Sequence, residues 1–249
     1  MIPKTIHYCW FGGNPKPKLA EKCIKSWKKY CPDYELVEWN ENTFDIKSSP
    51  LYVRQAYEAK KWAFVTDYVR LYAMVNFGGI YMDTDVEVIK PLDKYLSHKA
   101  FSGFEAPDGV PTGIMACEKG HPFFTRLLND YNNRSFINDD GSLNTITNVV
   151  YITDSLTADG LVLNDTLQTV DDFTLYPMVV FCPNRLAMNP YKSDETYTIH
   201  HFAGSWLSEK EVADRKDDIS RLKKYYRKKK FRQNYKELKH KLKMFITHS

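Results

Sequence analysis

Apolar positions along this 249-residue chain change period several times, and the changes predict an alternation of strands and helices. Residues 3–11, Pro3 to Phe11, are a largely apolar run closed by Gly12-Gly13-Asn14, the pattern of a buried strand and turn. Leu19, Cys23, Ile24 and Trp27 then recur at helical spacing, predicting a helix over 19–30 that Pro32 and Asp33 end. Residues 34–39 alternate like a second strand, so the chain opens as β-α-β. Phe64, Val65, Tyr68, Leu71, Tyr72 and Val75 place a second helix over 62–77, stopped by Gly78-Gly79. A short strand, Ile80 to Met82, runs into Asp83, and extended structure resumes over 86–89. Pro91 begins a short helix or turn; strands are expected over 100–104 and 114–117, with a helix over 122–132 starting at His121-Pro122. Residues 135–172 are polar and poorly patterned, which predicts an irregular region. Strand character returns over 173–181 and 197–202, and from 209 onward the chain reads as a charged helix. This is an α/β class of domain.

Asp83-Thr84-Asp85 is the part of this pattern that carries chemistry. Two acids one residue apart sit where one short strand ends and another begins. An acid-X-acid triplet alone is usually a solvated turn. Between two apolar strands, however, unpaired carboxylates are costly to bury without a cation. Hard oxygen ligands so placed suit Mg²⁺ or Mn²⁺ shared with a diphosphate. Such an ion offsets charge on a departing nucleoside diphosphate.

Two stretches around the triplet resemble a known family. Ala63-Phe64-Val65-Thr66-Asp67-Tyr68-Val69-Arg70 and Gly78-Gly79-Ile80-Tyr81-Met82-Asp83-Thr84-Asp85-Val86 are similar to the DXD-containing sugar transferases of glycosyltransferase family 32. That family includes bacterial capsular polysaccharide transferases and fungal initiating mannosyltransferases. Pro3 to Gly12 and His200-His201-Phe202-Ala203-Gly204-Ser205-Trp206 agree, so the resemblance runs in order over about residues 2–207. It implies a GT-A fold, a Rossmann-like nucleotide-binding sheet with flanking helices, as a domain over 1–207. It also implies metal-dependent, retaining transfer from a nucleotide sugar, with Asp83 and Asp85 as the catalytic metal-binding pair. A UDP-sugar is the favoured donor and GDP-mannose the other candidate.

The remaining site residues each have a plainer reading. Asp67 and Arg70 share a helix face and could be an intrahelical ion pair; the resemblance gives Asp67 the nucleoside and Arg70 the donor. Trp10 ends the first strand, where nucleotide rings commonly lie, yet could equally be core; the resemblance favours stacking on the donor base. It also sets Tyr81 beneath the sugar or diphosphate. His200 and His201 are adjacent and would face opposite ways on a strand, so only one is expected to meet the metal. His200 is preferred, with His201 left open. Ser205 and Trp206 would close over the diphosphate as a lid. One departure is Pro111-Thr112-Gly113-Ile114-Met115, where family members often carry Asn. Thr112 can still donate a hydrogen bond, but the choice of sugar does not carry over.

Composition adds less. Apolar residues make up 43% and charged residues 27%, ordinary for a globular chain. Seventeen Tyr, fourteen Phe and five Trp are plentiful and stack on sugars as readily as they fill cores. The five cysteines are scattered, without metal-ligand spacing, and read as reduced thiols of a cytosolic protein. No signal peptide or membrane-spanning run is expected. The net charge of +4 conceals an asymmetry: residues 221–243 hold twelve Lys or Arg and one acid, a net +11, leaving −7 elsewhere. Residues 208–249 are therefore expected to form a basic helical extension, either solvated or docked on an anionic membrane; nucleic-acid binding is not expected. The expectation is a cytoplasmic enzyme, at most peripheral on the inner face of the cell membrane. It would serve surface polysaccharide synthesis with a glycan or lipid-linked glycan as acceptor. A nucleotide-sugar hydrolase with the same metal site and a non-enzymatic polyanion binder are the alternatives.

Overall fold

The alternation seen in the sequence becomes a three-layer arrangement in the computed structural model, which describes residues 1–106, 108–110, 113–183 and 193–204. Strand β1 (Thr5–Cys9), helix α1 (Lys18–Tyr30) and strand β2 (Glu35–Trp39) open the chain, followed by α2 (Leu51–Glu58) and α3 (Trp62–Phe77). Next come β3 (Gly79–Met82), β4 (Val86–Val88), β5 (Ala100–Gly103), β6 (Ile114–Cys117) and α4 (Pro122–Asp130). The described part closes with α5 (Asn148–Ala158), β7 (Gln168–Val170), β8 (Phe173–Tyr176), α6 (Met178–Phe181) and β9 (Thr198–His200).

Seven strands form one mixed sheet in the order β2-β1-β3-β6-β5-β8-β7, while β4 and β9 form a separate antiparallel pair. β1 runs parallel to both β2 and β3, with Ile6 opposite Ile80 and His7 opposite Tyr81. β3 is antiparallel to β6, β6 to β5 and β7 to β8, whereas β5 and β8 are parallel. Side chains on a strand alternate between faces, and β3 shows the consequence. Tyr81 joins the core made with Val65, Val69 and Met74 of α3, while Ile80 and Met82 join Trp27 of α1 on the other side. The Trp27 indole N–H donates to the Val86 carbonyl at 2.7 Å, tying α1 to β4 just beyond the acidic triplet.

Four elements differ from the sequence expectation. α2 was not anticipated, and the region read as irregular holds both α5 and β7. The run expected to be extended over 173–181 divides at Pro177. Pro177 sets the first turn of α6, and the Asp165 carboxylate accepts the Met178 N–H at 2.7 Å. The described residues all lie within one compact unit; the basic extension over 208–249 lies outside them. Among the described residues no helix is long and apolar enough to cross a membrane.

Candidate active site

The backbone first determines where the acids stand. Gly78 and Gly79 have φ of +68° and +107°, a region side chains disfavour. A Cβ on Gly78 would lie 2.6 Å from the Lys119 backbone nitrogen, and one on Gly79 would lie 2.7 Å from the Thr5 carbonyl oxygen. The double glycine thus lets the start of β3 lie close against β1 on one side and against the end of β6 on the other. Beyond Met82 the chain turns. The Asp83 N–H donates to the Gly113 carbonyl at 2.8 Å, and the Val86 N–H donates to the Asp83 carbonyl at 3.0 Å. Asp83 and Trp10 therefore emerge at the same carboxyl end of the parallel pair β1 and β3.

Asp83 is held by a side chain of β3, the strand before it, and by one of α3. The Tyr81 hydroxyl donates to Asp83 Oδ1 at 2.9 Å, and Arg70 Nη2 lies 3.3 Å from the same oxygen. The Arg70 guanidinium also lies 4.7 Å from the Tyr81 ring centroid and 3.4 Å from Asp67 Oδ1. Asp67 is buried with Arg70. Burial pushes its carboxyl up to about 6, although Arg70 and a backbone N–H pull the other way. Aspartate buried beside arginine forms a pair of which neither member can be removed cheaply.

Asp85 is held by the small sheet. Pairing of Val86 with His200 brings His200 Nε2 to 3.3 Å from Asp85 Oδ1. The Ala203 N–H donates to Asp85 Oδ2 at 2.7 Å, and the His201 N–H to the Asp85 carbonyl at 3.0 Å. Burial disfavours a charged imidazole, but the Asp85 carboxylate outweighs it and lifts His200 to about 10. Burial likewise disfavours the Asp85 carboxylate, and His200 with the Ala203 N–H reverses that to a net lowering. The His200 ring lies against Phe202, 4.0 Å between centroids, and against Gly113, where a Cβ would stand 2.8 Å from Nδ1.

Asp83, Asp85 and His200 thereby offer three ligand atoms within 4.8 Å of one another. Two hard carboxylate oxygens and a borderline imidazole nitrogen fit a divalent ion of the Mn²⁺ or Mg²⁺ type. Both carboxylates keep part of their surface exposed, at 24% for Asp83 and 16% for Asp85, so the cluster stays open on one side. His201 faces away from it. Its Nε2 lies 2.8 Å from Glu87 Oε2, which also accepts from Lys22 Nζ at 2.8 Å. Trp10 donates its indole N–H to the Asn14 carbonyl at 2.6 Å, with Lys16 Nζ 5.8 Å from its ring. Thr112, Ser205 and Trp206 lie outside the described residues.

Sequence reasoning missed Asn148. Its backbone N–H donates to Asp67 Oδ2 at 3.2 Å and its side-chain amide to the Asp67 carbonyl at 2.6 Å. It lies in the stretch read as irregular, and no local periodicity could have brought it to α3.

A sheet of this order, with an acid-X-acid turn at the carboxyl end of a parallel strand pair, is the GT-A fold of glycosyltransferases. Residues 17–102 match the family described as glycosyltransferase sugar-binding region containing DXD motif. Among curated relatives, inositol phosphoceramide mannosyltransferase 3 of Schizosaccharomyces pombe is 32% identical over 131 residues, covering 51% of this chain and 36% of that protein. Mannosyl phosphorylinositol ceramide synthase CSH1 of Saccharomyces cerevisiae is 27% identical over 51% of this chain and 35% of its own length. The chain thus spans about a third of the curated relatives it first matches. An uncharacterized glycosyltransferase, L373 of Acanthamoeba polyphaga mimivirus, is 25% identical over 83% of this chain and 84% of that protein. Among solved structures the PaToxG glycosyltransferase superposes with a TM-score of 0.50 at 20% identity, covering 64% of this chain and 70% of that one.

These relatives correct one expectation. A cytoplasmic enzyme at the inner face of the cell membrane does not agree with them: they are fungal proteins named for mannosylating a ceramide, not cytoplasmic polysaccharide transferases. The assignment to the cytoplasm is withdrawn, and with it the inner-membrane setting.

Proposed function

We propose that the chain transfers a hexosyl group from a nucleotide sugar to a hydroxyl of a lipid-linked acceptor, with retention at the anomeric carbon and with a divalent ion held by Asp83, Asp85 and His200. The carrying observation is the convergence of those three ligand atoms from two different sheets. The ion, when bound, offsets charge on the diphosphate. The chain's own residues do the rest. Tyr81 and Arg70 fix the Asp83 carboxylate, and His200 with the Ala203 N–H fixes that of Asp85. Asp67 and Trp10 are assigned to the nucleoside; Ser205 and Trp206, assigned to the phosphates, lie outside the described residues.

In the proposed reaction the bond from the anomeric carbon to phosphate oxygen breaks while the acceptor oxygen bonds to the same face. The acceptor proton passes to the departing phosphate oxygen, so positioning and electrostatics supply the rate. A lipid-linked acceptor is supported by the ceramide in the relatives' names, and the mannosyl in those names keeps GDP-mannose beside UDP-sugars as a candidate donor.

Calorimetric titration with UDP, GDP and their sugars, with Mn²⁺ or with a chelator, tests this reading. One nucleotide should bind at least about tenfold more tightly with metal; equal affinity in chelator would refute the metal role. With the winning donor, Asp85→Asn should lower kcat by roughly 10²–10³ while the circular dichroism spectrum is kept. Near-normal turnover in that variant would remove Asp85 from the site.

A further inference from the structure

Helix α5 begins without a cap of its own. The side chain of Thr147, which precedes it, makes no capping hydrogen bond. The first N–H of the helix, that of Asn148, instead meets the Asp67 carboxylate, 81 residues away in sequence. A carboxylate facing a helix N-terminus is stabilised by the unpaired N–H groups there, so each partner answers a need of the other.

The Asn148 side chain makes the arrangement directional. It is buried, at 2% exposure. The Tyr131 hydroxyl donates to its Oδ1 at 2.8 Å, which turns the amide nitrogen toward the Asp67 carbonyl. Asp67 Oδ1 then faces Arg70 Nη2 at 3.4 Å, and that nitrogen lies 3.3 Å from Asp83 Oδ1. A line of polar contacts thus runs from Tyr131 at the end of α4 to the acidic triplet. The segment leading into α5 is itself anchored. Gln55 Oε1 on α2 accepts from the N–H groups of Phe136 and Ile137 at 2.9 and 3.2 Å, and Asn144 N–H donates to the Phe136 carbonyl at 2.8 Å.

We propose that Asn148 is a positioning residue for donor binding: it holds Asp67, and through Asp67 the Arg70 guanidinium, in the orientation that the nucleotide sugar meets. The proposal rests on the transferase reading above. It extends the donor site to a segment on the far side of the sequence from α3, and it makes the start of α5 part of that site's rigidity.

The test is a double-mutant cycle on the full chain, read as KM for the donor, kcat and melting temperature. Asn148→Ala should raise the donor KM about tenfold with kcat within about twofold. In an Asp67→Asn background the same substitution should change KM by less than about twofold, because the group through which it acts is already altered. Tyr131→Phe frees the amide without opening a large cavity and should raise KM about threefold. It decides the matter should Asn148→Ala fold poorly. Unchanged KM in Asn148→Ala, or in Tyr131→Phe where that variant decides, would overturn the proposal. So would equal effects of Asn148→Ala with and without Asp67. A wild-type chain that binds no nucleotide would sink the transferase reading and this one together. A wild-type chain that binds donor normally, with indifferent variants, would sink this one alone.

Discussion

Arg70 lies within 3.4 Å of both Asp67 and Asp83, so one guanidinium serves a buried carboxylate and a half-exposed one. The two acids differ in burial. Asp83 has solvent on one side, whereas Asp67 is buried and its carboxyl rises from the usual 3.8 to about 6. A carboxyl whose pKa is higher folded than unfolded favours the folded state while it is protonated. That advantage is complete below about pH 4 and is lost as pH rises through about 6. Asp67→Asn removes the titration. Urea unfolding of both proteins at pH 4 and pH 7 should therefore show the wild type losing on the order of 2–3 kcal/mol relative to the variant between the two pH values. Parallel stability profiles would mean that Asp67 is solvated. Asp83, Asp85, Asp67 and Arg70 were legible in the sequence as candidates, the first two by their place between two apolar strands and the other two by resemblance to a family, and the structure brings all four together. Asn148 was not legible, since its role depends on a contact with a helix 81 residues earlier.

At the scale of elements, α3 is observed with the ends the sequence assigned, Trp62 to Phe77, because apolar periodicity and a double glycine agree there. α5 was illegible for a physical reason. Its inward positions are Asn148, Ile152, Thr153 and Leu156, and half of these are polar, so the helical stripe is present but not hydrophobic. The antiparallel insertion of β6 between β3 and β5 is equally invisible to periodicity, because strand order is a long-range property. The double glycine also makes an element-scale prediction. Gly79→Ala would put a methyl carbon 2.7 Å from the Thr5 carbonyl oxygen at a φ of +107°, forcing β3 away from β1. Destabilisation of about 2–4 kcal/mol is expected from chemical denaturation. A loss below about 0.5 kcal/mol would show that the two strands can separate locally without cost.

For the molecule as a whole, two apolar cores flank the sheet and between them enclose most of its cysteines. Cys9 and Cys117 lie on one side and Cys23 and Cys31 on the other, and all five thiols are buried and unpaired. Burial pushes Cys31 up to about 11 and Cys23 up to about 12, and raises Cys9 and Cys117 further. Thiolate, the reactive form, is therefore scarce at neutral pH. Ellman's reagent should find essentially no fast-reacting thiol in the native chain and five after denaturation; a thiol titrating within seconds in buffer would show a core open to solvent. The division into two sheets has a consequence for synthesis. A chain leaving the ribosome from its N-terminus delivers all seven strands of the main sheet by Tyr176, before Thr198–His200 has emerged. The nascent protein can fold its framework and display both aspartates while the imidazole donor is still being made. On the proposed reading such a half-built catalyst is inert, and its competence begins only when translation has carried the histidine out to meet them.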